Sequence, residues 1–417
     1  MKNKIIKFIN SPEANILSSQ TMYESLMANI NMFTISKELE FKKESMKIGY
    51  KLLNHQNKDG GFDIGYNFIF GHNIVKKLKK ESTTPELVSL FALVELSKIL
   101  DTNQKEDNDL NEKIIKSCKK SVEWIEKHLV NFDYGSAIPY APLTTTNIHI
   151  TNGVSFTIGA LANYINHFDK ENKELKETLL KMNKFMYENL EENDNGSYWP
   201  YFWQNSPHIN DNPRKTKIDN FHIGQQLRYH AFSLKKYRDQ FNEKIVNGVT
   251  KYLINEIKDD GKLSYVIVNG KHSGTINSWG YSSVIKGLIE ASSFEFVDKN
   301  EINNKISTMV NILIDHFWNG EYFYPIVEKK SFSVIDSNFY PRSDAWVAHS
   351  LSYVLKYNQS EKFLDENKKN EISYIVSSVL LKIATHDYTG YENHTVTKKK
   401  LYFSAVINSI KKIKGKI

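Results

Sequence analysis

Residues 171–198 read ENKELKETLLKMNKFMYENLEENDNGSY, and this stretch decides the fold. Leu175, Leu179, Met182, Met186 and Leu190 recur three or four apart while lysines and glutamates fill the other positions, the pattern of an amphipathic helix with one buried stripe. The helix runs into DNGSY at 194–198, where Asp, Asn and Gly supply a tight turn. Working outward, similar turns stand at KDGGF 58–62, DYG 133–135, DDG 259–261, WNGEY 318–322 and DYTGY 387–391. Each follows a Lys/Glu-rich amphipathic segment, so the motif repeats six times.

The segments after the turns differ in character. PELVSLFALVELSKIL (85–100), NGVSFTIGALANYI (152–165), DNFHIGQQLRYHAFSL (219–234), NSWGYSSVIKGLIEAS (277–292) and SDAWVAHSLSYVLKY (343–357) are apolar on more than one face and carry Gly, Ala and Ser. Such helices are enclosed by others and pack closely. Their starts, near Glu86, Asn152, His222, Trp279 and Asp344, are spaced by roughly 65 residues, enough for an outer helix, an inner helix and their loops. A sixth inner helix is expected near Tyr402. The expected fold is therefore all-α, a single (α/α)6 toroid over residues 1–417, with sheet confined to short hairpins in the rim loops. All inner N-termini then face one rim, where unsatisfied amides and helix dipoles favour a polar or anionic ligand.

Composition narrows the function. The net charge is +7, yet only Arg214, Arg228, Arg238 and Arg342 among 55 basic residues are arginine, and the lysines are scattered among glutamates, so no nucleic-acid partner is expected. No run approaches the roughly 18 apolar residues of a membrane span, and a cytoplasmic location is expected. Cys118 is the sole cysteine, which excludes an internal disulfide and a thiolate metal cluster; neither metal nor cofactor is expected.

The loops feeding the inner helices hold more polar and aromatic groups than turns require. One carries Tyr201, Trp203, Arg214, Asp219 and His222; another Asp336, Tyr340, Arg342, Asp344 and Trp346. Asn147, His149 and Asn152 precede or open a third, Asn277, Trp279 and Tyr281 a fourth, and Glu86 stands at the first. Rings beside carboxylates, amides and arginine suit carbohydrate, with ring faces on sugar C–H faces and polar tips on hydroxyls. Asp219 and Asp344 are candidates for the acid and base of glycoside hydrolysis. Alternatively, Tyr340, His222 and Arg342 suit removal of the C5 proton of a uronate, with arginine neutralising its carboxylate. Helix capping is the structural competitor for the two aspartates.

The order DGGF, NIHITNGVSF, GSYWPY with IDNFHIG, INSWGY, NGEYFYP and YPRSDAWVAHSL resembles bacterial α/α-toroid proteins encoded in capsule and exopolysaccharide gene clusters. More distantly it is similar to the six-hairpin glycosidase, uronate lyase and epimerase toroids. The resemblance implies a role in making or modifying surface polysaccharide, with an anionic saccharide or nucleotide-sugar-derived substrate, and falls on Asp219, His222, Trp279, Arg342, Asp344 and Trp346. QNKDGGF is also similar to the repeats of terpene cyclases and prenyltransferase β-subunits, so a terpene- or prenyl-handling toroid is an alternative. Neither a DxDD nor a DDxxD motif accompanies it. A non-catalytic polysaccharide-binding or scaffold protein is the third reading.

Overall fold

The computed structural model describes residues 18–65, 68–70, 74–76, 81–143, 150–201 and 217–390. Among the described residues twelve α-helices alternate between two layers. The inner layer comprises α1 (Ser19–Ser36), α3 (Val88–Ser97), α5 (Thr151–Phe168), α7 (Asn220–Lys236), α9 (Ser278–Ala291) and α11 (Pro341–Glu361). The outer layer comprises α2 (Leu39–His55), α4 (Lys105–His128), α6 (Lys173–Glu188), α8 (Gln240–Glu256), α10 (Lys299–Ile312) and α12 (Glu366–Thr385). Each inner helix packs on the next around the ring, and α11 packs on α1 to close it. The expected (α/α)6 toroid is the observed architecture.

Ring closure uses a helix the repeat pattern does not anticipate. The inner helix expected near Tyr402 lies outside the described residues, and α1 is the sixth member of the ring. The last Asp/Gly turn still does for α1 what its counterparts do elsewhere: Tyr388 and Thr389 carbonyls accept from the Ser18 amide (3.2 Å) and the Thr21 hydroxyl (3.1 Å).

Outer helices follow their amphipathic pattern. In α6, Leu175, Leu179, Met182 and Met186 are buried, and Asn172 caps the start by accepting from the Leu175 amide at 3.0 Å. At four of the Asp/Gly turns, Gly60, Gly135, Gly196 and Gly261, the glycine presses on the outer helix of the next hairpin, whereas Gly320 has open space around it. At Gly135, with φ +136°, a Cβ would sit 2.5 Å from the Lys181 carbonyl of α6; at Gly196, with φ +134°, it would sit 2.6 Å from the Gly248 carbonyl of α8. Only glycine permits both the backbone conformation and the approach.

Inner helices are buried almost all round, and small residues let them meet backbone to backbone. A Cβ on Gly287 of α9 would lie 2.4 Å from the Gly224 carbonyl of α7. The described strands are two or three residues long, and they hold the rim loops together: Ile218–Asp219 pairs antiparallel with Val266–Val268, and Thr275–Asn277 with Ile326–Glu328. The first pairing ties the loop that carries Asp219 to the loop entering α9.

Candidate functional site

Asp219 caps α7, its Oδ1 accepting from the His222 amide at 3.2 Å. Its Oδ2 lies 2.8 Å from His222 Nδ1 and 2.8 Å from Lys217 Nζ, though neither contact of this oxygen is aligned as a hydrogen bond. Burial acts to raise the Asp219 carboxyl, but the His222 ring, which is cationic only at the low pH where this carboxyl would take up a proton, and the Lys217 ammonium outweigh burial and hold it well below the usual carboxylate range. A carboxylate at Nδ1 keeps the imidazole proton on that nitrogen, which leaves Nε2 as the acceptor. His222 remains part-exposed, and its Nε2 has no partner among the described residues.

Aromatic rings enclose this pair. Tyr201 meets His222 edge-on at 5.2 Å and lies under Lys217 Nζ at 3.7 Å. On the other side Trp279 meets His222 at 5.7 Å, and Trp279 in turn meets Trp346 at 5.7 Å. Burial pushes the Tyr201 hydroxyl well above its ordinary value, so it is a neutral donor.

From Trp346 the arc continues along the rim. Arg342 lies 5.8 Å from the Trp346 ring and donates to Gln20 Oε1 from Nε at 2.7 Å, with a second donation from its terminal nitrogen. Gln20 Nε2 donates to Glu86 Oε1 at 2.8 Å. One chain of bonds thus links α11, α1 and the 3-10 turn Thr84–Leu87 that leads into α3. Trp346 is 5% exposed and its Nε1–H has no partner among the described residues; Asn152, at the start of α5, likewise buries an Oδ1 with no partner among them. Buried polar atoms left unsatisfied cost free energy unless a ligand or water meets them.

Beneath the rim lies a buried ionic cluster that sequence reading missed. Lys286 of α9 pairs with Glu24 of α1 at 2.7 Å, and Glu24 also bonds His349 Nδ1 of α11. Arg228 of α7 reaches His349 Nε2 at 3.3 Å and donates to the Tyr23 hydroxyl at 2.6 Å. Because arginine only donates, His349 Nε2 is an acceptor and the proton of the neutral ring sits on Nδ1, toward Glu24, so the Lys286 ammonium 3.3 Å from Nδ1 is held by the shared Glu24 carboxylate and not by the ring. Burial, with Lys286 and Arg228 adding to it, holds His349 well below its ordinary value and so neutral. Burial lowers Lys286 to about 8 despite Glu24. Its ammonium stands 4.5 Å from the Trp346 ring, so the cluster supports the floor of the mouth.

Other expected site residues are placed elsewhere. Asp344 is fully buried, and its carboxylate accepts from the Phe323 amide at 3.3 and 3.4 Å; burial raises its carboxyl well above the ordinary value. Its contacts are those of a residue anchoring the turn near 318–323. The Tyr281 hydroxyl donates to the Gly261 carbonyl at 2.7 Å and receives the Leu263 amide at 3.2 Å, which turns it toward the outer layer. Tyr340 donates to Asp336 Oδ2 at 3.1 Å within the rim loop. Asn277 is buried at the start of α9. Asn147, His149, Trp203 and Arg214 lie outside the described residues. Among the described residues no group of three or more His, Cys, Asp or Glu is placed to hold a metal ion, and no helix is long and apolar enough to cross a membrane.

No protein-family model and no curated protein matches the chain. Solved structures do. The cellobiose 2-epimerase of Bacillus thermoamylovorans is 13% identical with a TM-score of 0.58, over 82% of this chain and 89% of that one. A D-mannose isomerase is 12% identical with a TM-score of 0.60, over 81% and 87%. A family 105 glycoside hydrolase from C. acetobutylicum is 13% identical with a TM-score of 0.58, over 86% and 97%. At this identity the likeness is one of fold, and the chain folds as the six-hairpin glycosidase-like toroids do.

Proposed function

We propose that the chain is a carbohydrate-active enzyme that moves a proton on a saccharide held at the inner-helix N-terminal mouth, as a sugar epimerase, isomerase or lyase. The observation that carries this reading is the Asp219–His222 pair: an imidazole beside a carboxylate, with no Nε2 partner among the described residues, set between Tyr201 and Trp279. Nε2 takes the proton from a C–H next to a carbonyl and returns it to the neighbouring carbonyl carbon while the hydroxyl proton passes from one oxygen to the other, which completes an isomerisation; epimerisation adds a second donor on the opposite face of the sugar, and a lyase step instead expels the oxygen substituent on the β carbon. Two-carboxylate hydrolysis is less well supported, because Asp344 is engaged by the Phe323 amide. Cellobiose and D-mannose, the sugars after which the similar epimerase and isomerase are named, belong to this class of substrate.

Trp346 and Trp279 supply ring surface for sugar C–H faces, while Trp346 Nε1–H, free to donate to a hydroxyl or carbonyl oxygen, and Asn152 Oδ1, free to accept from a hydroxyl, have no partner among the described residues. Lys217, Arg342 and the amide-rich helix starts favour a substrate bearing a carboxylate or phosphate. The role we assign is in making or modifying surface polysaccharide, on nucleotide-sugar-derived material in the cytoplasm. The test is proton exchange: aldoses, uronates and their disaccharides are incubated with protein in D2O and read by NMR for deuterium at the carbon next to the carbonyl or carboxylate. Exchange lost in His222→Gln supports the reading; absence of exchange with every member of the panel overturns it.

A further inference from the structure

Outside the ring mouth, a second cavity of about 690 Å³ opens among the turn after α8, the hairpin Val266–Val268 with Lys271–His272, and Lys329. It holds several charges of both signs, but they are not evenly partnered. Asp260 pairs with Lys262 at 2.9 Å, Asp259 with Lys305 at 3.3 Å, and Glu256 accepts from the Asn195 side chain at 2.6 Å. Lys258 and Lys329, by contrast, have no carboxylate partner among the described residues. The half-buried Lys329 ammonium donates to a neutral atom, Ser264 Oγ, at 2.8 Å, and that hydroxyl lies 3.0 Å from His272 Nδ1. Ser264 is 5% exposed, so a polar floor is built under the lysine. An ammonium has three hydrogens; one bond to a hydroxyl leaves the others for an incoming oxyanion.

The cavity backs onto the start of α7. Asp219 pairs in register with Val266, and the Ser264 carbonyl accepts from the Asn220 side chain at 2.9 Å. Its volume is in the range of small-molecule sites and accommodates one or two sugar rings. We propose that it is an outer subsite for the anionic substituent, carboxylate or sulfate, of a glycan whose reacting unit lies inside the mouth. That an oxyanion binds here rests on the cavity alone; that a glycan carries it rests on the function proposed above.

Amine acetylation followed by peptide mass spectrometry reads the site without any activity. Inorganic sulfate, trigalacturonate and neutral maltotriose are the probes, and the exposed neighbour Lys330 is the internal reference. Sulfate and trigalacturonate are expected to slow labelling of Lys329 and Lys258 relative to Lys330, with maltotriose without effect. Lys329→Gln is expected to weaken trigalacturonate binding about tenfold at an unchanged melting temperature. Equal labelling of Lys329 with and without both anions overturns the proposal, and protection by sulfate alone overturns the glycan subsite. Repeating the labelling in His222→Gln separates the two readings, since protection there must persist even where proton exchange fails.

Discussion

Asp219→Asn isolates the electrostatic core of the mouth. Asparagine is as good a helix cap as aspartate, so the bond from the His222 amide to Oδ1 is retained and α7 starts where it did. What changes is the atom facing His222 Nδ1, 2.8 Å away, and Lys217 Nζ, also at 2.8 Å. An amide nitrogen there donates, so Nδ1 must become the acceptor and the ring proton moves to Nε2, the nitrogen that has to take a proton from substrate. Loss of an orienting aspartate in this way reduces turnover by about 10³–10⁴. Lys217 loses its carboxylate, but its side chain is 12% exposed and keeps the Tyr201 ring at 3.7 Å. The stability cost is therefore about 2 kcal/mol, below that of breaking a fully buried pair. Long-range ¹⁵N–¹H correlation on histidine-labelled protein reads the tautomer directly, with His222→Gln assigning one signal among 13 histidines. A wild-type His222 already protonated on Nε2, or a variant that keeps its turnover to within about tenfold, refutes the reasoning.

The remaining predictions concern the scaffold beneath. Glu24 and Lys286 are 1% and 2% exposed, so Glu24→Gln or Lys286→Met alone should cost about 3–5 kcal/mol in urea unfolding, and the double variant far less than their sum; additive losses would show that the pair is uncoupled. Gly287→Ala drives a methyl into the Gly224 carbonyl and should cost about 3 kcal/mol, whereas Gly274→Ala, with nothing within 4 Å, should be near neutral. Equal melting temperatures for these two variants contradict the close approach of α7 and α9. Burial lowers His230 from 6.5 to about 4, with the Asn242 bond opposing. The unfolded chain therefore takes up the proton first, and stability should fall by about 3 kcal/mol as pH drops from 6.5 to 4. His349 acts in the same direction, and His230→Gln should flatten the profile; an unchanged pH profile in that variant would show that His230 is not the group responsible.

The toroid was legible because two local signals repeat in phase: amphipathic Lys/Glu segments, and glycine turns, four of which press on the next outer helix. The first inner helix escaped for a physical reason. SQTMYESLMANINMFTIS has buried polar residues on every side, so it lacks a hydrophobic stripe, and its Asp/Gly turn lies at 387–391, more than 350 residues later in the chain. Without α1 the partners Gln20 and Glu24 were missing, and with them the reason for Arg342 and Lys286.

The grouping of candidate residues by proximity in sequence also has a correctable flaw. Residues two apart on a helix point to nearly opposite sides, whereas those three, four or seven apart share a face. Trp279 and Tyr281 obey this: the first meets His222 and Trp346, the second bonds the Gly261 turn on the outer side. Arg342 and Asp344 obey it too, one lying by Trp346 at the mouth and the other holding the Phe323 amide. Read at helical spacing instead, α11 presents Arg342, Trp346, His349 and Tyr353 in one inward column, α1 presents Gln20 and Glu24, and α9 presents Trp279 and Lys286. Each column starts at the rim with a group suited to a ligand and carries a buried ionisable one, His349, Glu24 or Lys286, further down. Polar residues at that spacing inside an otherwise apolar helix are therefore the signal that separates a lining residue from a cap, and the turn-by-turn depth of about 5.4 Å places Lys286 two turns below Trp279, under the Trp346 ring rather than beside the substrate.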